Sequence, residues 1–260
     1  MSAPAHQGFF SPTGPRVFAH RGLALGVPEN TLAAFRLAVD AGAEYLETDT
    51  RVTSDSVAVL FHDETLERIT GDRRPIARMT LAELQSVDLG GDRVATLAEA
   101  LAAFPEARFN IDVKAADAAG PAARAVNEAG AQGRVLITSF SDARRLAMTA
   151  ALLPLVPAVD TASSPGVGVL TRVLPFALAG WIAPVRRLLS GVDAVQIPER
   201  FRGLRVVTRR LVRTMHAAGV EVHVWTINDP VDMRRLLDLG VDGLVTDRAD
   251  IALAVIRSAS

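Results

Sequence analysis

The chain has no cysteine among its 260 residues. Disulfides, thiolate zinc sites and a cysteine nucleophile are therefore excluded. A large charge of either sign is also missing: the net charge is −1 at neutral pH. The overall balance carries no basic field of the kind that gathers nucleic acid. The opening stretch, MSAPAHQGFFSPTGPR, lacks a basic start followed by an apolar core, so it does not read as a secretory signal. Residues 1–15 read instead as a flexible lead-in punctuated by Pro4, Pro12 and Pro15. These absences fit a cytoplasmic location.

Long apolar runs are scarce too. Only residues 167–189 raise the question of a membrane, and Arg172, Pro175, Pro184, Arg186 and Arg187 interrupt them. A spanning helix wants about 20 largely uncharged residues. The segment belongs to an apolar insert over 160–190 and reads as an insert or an amphipathic helix. Trp181 and the flanking arginines give it a second reading as a weak membrane-surface contact.

What is present is alternation. An apolar fraction of 49% with 22% charged residues suits a globular protein. Short apolar runs read as strands over about 16–20, 45–52, 108–114, 134–140, 155–160, 193–198, 221–227 and 243–247. Helical segments separate them, several stopped by glycine just past the last turn, as at Gly42, Gly130, Gly219 and Gly240. A further run at 57–61 reads as an excursion from the second strand, followed by a small insertion over 63–94. Eight strand–helix units over 16–260 imply a single (β/α)8 TIM barrel. A doubly wound open sheet is the rival. It usually has fewer strands, and no glycine-rich phosphate fingerprint follows the first strand here.

Polar residues gather where these strands end. His20 and Arg21 close the first, Glu47 and Asp49 lie two apart in the second, His62 closes the excursion, and Asp112 and Lys114 lie two apart in the third. Side chains two apart on a strand share a face. In a barrel the C-terminal strand ends build the active site. Three converging carboxylates repel unless a cation neutralises them, and oxygen ligands suit a hard divalent ion. Pairing with Arg21, Arg51 and Lys114 is the simpler alternative. His20 and His62 are placed for acid–base work. His6 and His216 read as bland, and His223 as a packed, hydrogen-bonded residue. Arg21 and Lys114 suit phosphate oxygens, and Trp225 could wall the substrate or simply pack.

The order AHRG (19–22), PENT (28–31), ETD (47–49), SD then FHD (54–63), IDVK (111–114), VWTIND (224–229) and GVDGLVTD (240–247) resembles the glycerophosphodiester phosphodiesterase family over roughly 16–256. The resemblance implies a barrel hydrolase that cleaves glycerophosphodiesters to an alcohol and sn-glycerol 3-phosphate. It implies acid–base catalysis by His20 and His62, and phosphate contact by Arg21 and Lys114. It also implies one divalent cation, Mg²⁺ or Ca²⁺ with Mn²⁺ as a further option, on Glu47, Asp49 and Asp112. Two positions depart from the family pattern: Asp112 stands where a glutamate is usual, and Asp55-Ser56 replaces an Asp-Gly turn. The apolar insert leaves room for a lysophospholipid, which makes a lysophospholipase D-like enzyme the second reading. A non-catalytic barrel that binds phosphodiesters or lipids is the third.

Overall fold

The computed structural model describes residues 8–11, 13–152, 161–201 and 203–259. Its strands are β1 (Arg16–His20), β2 (Tyr45–Val52), β3 (Ala58–Leu60), β4 (Arg108–Val113), β5 (Val135–Thr138), β6 (Ala162–Ser163), β7 (Ala194–Pro198), β8 (Arg200–Phe201), β9 (Leu204–Arg205), β10 (Glu221–Trp225) and β11 (Gly243–Thr246). Its α-helices are α1 (Leu32–Asp40), α2 (Glu67–Thr70), α3 (Leu81–Gln85), α4 (Leu97–Ala103), α5 (Ala119–Glu128), α6 (Asp142–Leu152), α7 (Val167–Ala179), α8 (Ile182–Leu188), α9 (Arg209–Ala218), α10 (Pro230–Asp238) and α11 (Ala249–Ala259).

Eight strands run parallel in the order β6-β5-β4-β2-β1-β11-β10-β7. The ring is that of a (β/α)8 TIM barrel. Between β6 and β7 no strand ladder forms among the described residues. There the Asp193 N–H donates to the Ser163 carbonyl at 3.0 Å, and the Ser163 N–H donates to the Asp193 carboxylate at 2.8 Å. The strand expected near 155–160 lies outside the described residues; the described strand at this place is β6. The 57–61 excursion is β3, antiparallel to β2. Ser56 closes that hairpin at φ +62°.

Local signals explain the helices. Thr31, Thr80, Thr96 and Thr208 each accept a backbone N–H at a helix start. Glu83 and Glu99 complete reciprocal capping boxes at α3 and α4. Gly180 and Gly219 end α7 and α9 in the left-handed conformation that glycine tolerates best. The 63–94 insertion builds its own small core from Phe61, Leu66, Ile76, Met79, Leu84 and Val94. The 160–190 insert contributes α7 and α8. No helix among the described residues is long and apolar enough to cross a membrane.

The lead-in is not loose where it is described. Phe9 is buried, its ring stacked 6.4 Å from Phe18 and set edge-on 5.4 Å from Tyr45. The Tyr45 hydroxyl donates to the Phe9 carbonyl at 2.9 Å. Tyr45 starts β2, so Phe9 fills the end of the barrel remote from the polar strand ends. Burying an aromatic ring of this size offsets much of the cost of ordering the residues around it. His6 lies outside the described residues. Above Phe9 the interior turns polar: His223 is buried, with Nε2 3.1 Å from Glu221 and Nδ1 3.4 Å from Gln196. That is the packed role expected of it. His216 is on the outside, 2.7 Å from Asp242.

Candidate active site

Register brings the polar strand ends together. His20 pairs with Glu47 across β1 and β2, and Asp49 pairs with Asp112 across β2 and β4. Glu47 and Asp49 share the inner face of β2, and Asp112 continues that face on β4. Lys114 follows immediately after β4 and reaches back. Its Nζ lies 2.9 Å from Asp49 Oδ1 and 2.6 Å from Asp112 Oδ2.

Two backbone kinks aim the next groups. Arg21 and Asn30 both sit at φ +57°, a conformation that costs a residue such as arginine ~1–2 kcal/mol and that asparagine adopts more readily. The Asn30 N–H donates to the Arg21 carbonyl at 2.9 Å, which locks the two kinks to each other. Arg21 then places Nε 3.1 Å from Asp49 and donates from Nη1 to Glu29 at 2.9 Å. Asn30 donates from Nδ2 to Asp49 at 3.0 Å and accepts from the Thr48 hydroxyl at 2.8 Å.

The two histidines are held alike. His20 Nδ1 is 2.6 Å from Asp247 Oδ1, and His62 Nδ1 is 2.7 Å from Asp63 Oδ1. An ionised carboxylate only accepts, so each Nδ1 carries the proton and each Nε2 is left for chemistry. His20 Nε2 is 3.9 Å from Glu47. Asp63 is steadied by Arg68, whose Nε donates at 2.5 Å and whose Nη2 donates to Glu29 at 2.6 Å. Asp247 is steadied by Asn228 Nδ2 at 2.8 Å.

The electrostatics follow this wiring. Burial pushes the Glu47 carboxyl up to about 7; Asp49 and Asp112 push the same way, while His20 opposes them. Burial also lifts Asp49, but Lys114 and Arg21 more than offset it and hold Asp49 below the usual carboxylate range. Asp112 is raised, by burial first. Burial lowers His20, yet Glu47 and Asp247 together leave it above an ordinary histidine. The His20 hydrogen bond is the main reason Asp247 titrates low.

Six of the strand-end residues therefore meet, His20, Arg21, Glu47, Asp49, Asp112 and Lys114, and the seventh, His62, lies within electrostatic reach of Asp112. Trp225 ends β10 half-buried, its ring edge-on to Phe140 at 5.8 Å. The Phe140 ring in turn lies 5.4 Å from Lys114 Nζ, so the pair borders the cluster. Glu29, Asn30, Asp63, Arg68, Asn228, Asp247 and Phe140 join the site without having been assigned a role from sequence. One signal for Asp247 was available: it follows the last strand as His20 ends the first, and the first and last strands of a barrel are neighbours.

The donor set suits a hard cation. Three carboxylates share the inner faces of β2 and β4, and among the described residues buried Asp112 Oδ1 has no hydrogen-bond partner. Among the described residues, no three acidic or histidine side chains already surround a common point. Lys114 and Arg21 occupy the carboxylates instead.

A (β/α)8 barrel with paired histidines and cationic side chains over clustered acids at its C-terminal rim defines a phosphodiester hydrolase. The chain belongs to the glycerophosphoryl diester phosphodiesterase family, whose model matches residues 20–251. It is 40% identical over 92% of its length to the Mycobacterium tuberculosis protein named "probable glycerophosphodiester phosphodiesterase 2", covering 89% of that protein. It is 25% identical to human lysophospholipase D, over 88% of this chain and 82% of the human one. Among solved structures, an Oleispira antarctica phosphodiesterase in complex with the product sn-glycerol 3-phosphate superposes with a TM-score of 0.74 at 25% identity. That match covers 94% of this chain and 97% of the other.

Proposed function

We propose that this enzyme hydrolyses glycerophosphodiesters to an alcohol and sn-glycerol 3-phosphate with His20 and His62 as its proton-transfer pair. The matched pair of carboxylate-held imidazoles, His20 beside Glu47 and His62 within electrostatic reach of Asp112, carries this reading. His20, with Nδ1 tied to Asp247, takes the proton of the nucleophile at Nε2. His62, with Nδ1 tied to Asp63, gives a proton to the leaving alcohol. Arg21 and Lys114 hold the phosphate oxygens and balance charge as it builds in the transition state. Phe140 and Trp225 border the substrate.

Glu47, Asp49 and Asp112 would hold a divalent cation, Mg²⁺ or Ca²⁺ with Mn²⁺ as a substitute, which supplies Lewis-acid polarisation of the phosphoryl group when bound. Support comes from the donor chemistry and from the partnerless Asp112 oxygen. The nucleophile is either the glycerol 2-hydroxyl, giving a cyclic phosphate first, or water. Trapping or failing to trap a cyclic phosphate in single-turnover reactions separates the two routes.

The test is hydrolysis of glycerophosphocholine with and without EDTA, followed by readdition of each ion. Activity that survives exhaustive chelation would remove the cation from the mechanism. Likeness to human lysophospholipase D and the exposed Phe140 and Val167 favour a second substrate class, lysophospholipids. Faster turnover of lysophosphatidylcholine than of glycerophosphocholine would establish it.

A further inference from the structure

We propose that α7, α8, the start of α9 and the β8–β9 hairpin form a docking face for an anionic lipid bilayer. The charge distribution motivates this. Residues 160–220 hold nine arginines against three carboxylates, within a chain whose net charge is −1. Among the described residues, Arg172, Arg187, Arg210 and Arg213 are exposed and have no ion pair or hydrogen bond to a carboxylate. Among the same residues, Arg186 and Arg209 donate to the carbonyls of Ala217 and Asp238.

Arg209, Arg210 and Arg213 line a groove of about 340 Å³ together with Gly180, Ile182 and Thr214. Trp181, between the groove residues Gly180 and Ile182 in the chain, is 60% exposed, and Leu178 and Ile182 are also on the surface. On the β8–β9 hairpin, which leads into α9, Leu204 is 74% exposed and Phe201 is on the surface. Bare guanidinium groups beside an exposed tryptophan and aliphatic residues match the two needs of a bilayer interface. The arginines meet anionic headgroups and the apolar tips enter the acyl boundary. A soluble anion would use the arginines and leave the apolar residues without purpose.

The face lies beside the mouth of the barrel. Helix α7 starts against the site rim, where the Val167 N–H donates to the Phe140 carbonyl at 3.0 Å and the Val169 N–H to Asp142 at 3.0 Å. At its other end, Gly180 approaches Arg210 in the first turn of α9. The β8–β9 hairpin follows the C-terminal end of β7. Docking through this face would bring the site to the lipid surface, and the contact is independent of which diester is cleaved.

The experiment is sedimentation of the full chain with two kinds of vesicle: phosphatidylcholine alone, and phosphatidylcholine mixed with phosphatidylglycerol. Binding is expected only to the mixed vesicles, weakened by salt and insensitive to free inorganic phosphate. Each arginine near an anionic surface is worth about a fivefold change in partitioning. The triple variant Arg187→Gln, Arg210→Gln, Arg213→Gln should therefore bind about 100-fold more weakly. Trp181→Ala should weaken binding while leaving the salt dependence intact. Both variants should keep the wild-type melting temperature and glycerophosphocholine turnover, which separates this proposal from the catalytic one. No sedimentation with mixed vesicles, equal sedimentation with both kinds, displacement by free phosphate, or unchanged binding of the triple variant would each overturn it.

Discussion

The Lys114 ammonium lies 2.6 Å from Asp112, the acid two positions before it in the chain. The same nitrogen also holds Asp49 on the neighbouring strand at 2.9 Å. Lys114 is the only lysine in the sequence; the other 27 basic residues are arginine. Burial lowers its pKa, but Asp49 and Asp112 outweigh burial and leave it raised. Removing it strands the buried Asp112 and leaves Asp49 to Arg21 and Asn30. Lys114→Ala should lose about 3–5 kcal/mol of stability and at least ~10²-fold in kcat/KM. Lys114→Arg should recover stability better than activity, because a planar fork cannot copy a point charge between two acids. Urea titration and steady-state kinetics check both, and an unchanged kcat/KM in the alanine variant would take Lys114 out of phosphate contact.

His20 and Asp247 set an acid limit. His20 works as a base only when neutral, so activity falls as pH drops through its raised pKa. Asp247 is one cause of that rise. Asp247→Asn should therefore move the acid limb of kcat/KM to lower pH and reduce kcat. His20→Ala and His62→Ala should each lose ~10²–10⁴-fold. A limb that stays in place in Asp247→Asn would assign it to another group.

Gly243 allows two rings to share the barrel interior. A Cβ there would sit 2.7 Å from both His223 Cδ2 and Phe18 Cε2. Gly243→Ala should cost about 1–3 kcal/mol through overpacking, read as a lower urea midpoint.

Ser56 occupies a left-handed turn position, at φ +62° on the surface. Ser56→Gly relieves the Cβ clash of that conformation and should raise stability by about 1 kcal/mol, with activity unchanged. A lower melting temperature would mean that the glycine's extra unfolded-state freedom wins.

The barrel was legible because its signals are local. Apolar runs, threonine caps and terminal glycines repeat along the chain, and the limits expected for the first and second strands coincide with β1 and β2. The seven polar residues were legible because they sit at those strand ends. What escaped was non-local. Asp247 supports His20 from 227 positions away, and no spacing rule links them until the barrel closes. Glu29 and Asn30 stood within a recognised motif, but their roles depend on two positive-φ kinks that composition does not reveal. Phe9 escaped because a single buried ring in a proline-rich lead-in has no periodicity. Within the 63–94 insertion a short helix near Thr80–Ser86 is legible and matches α3, but the satellite core around it is not, since its apolar residues are scattered without a period.

The gap between β6 and β7 gives the ring a clasp. Everywhere else, neighbouring strands are stitched by a ladder; here Asp193 and Ser163 fasten two ends with a backbone bond and a side-chain bond. A closed barrel has no free strand edges; among the described residues this one has a seam held by that fastening and by the Ser163 hydroxyl, which donates to the Gly191 carbonyl at 3.4 Å. Amide protons along the seam should exchange with solvent ahead of those between β1 and β2. The molecule would then open sideways before it unfolds, at the place where its arginine-rich segment begins.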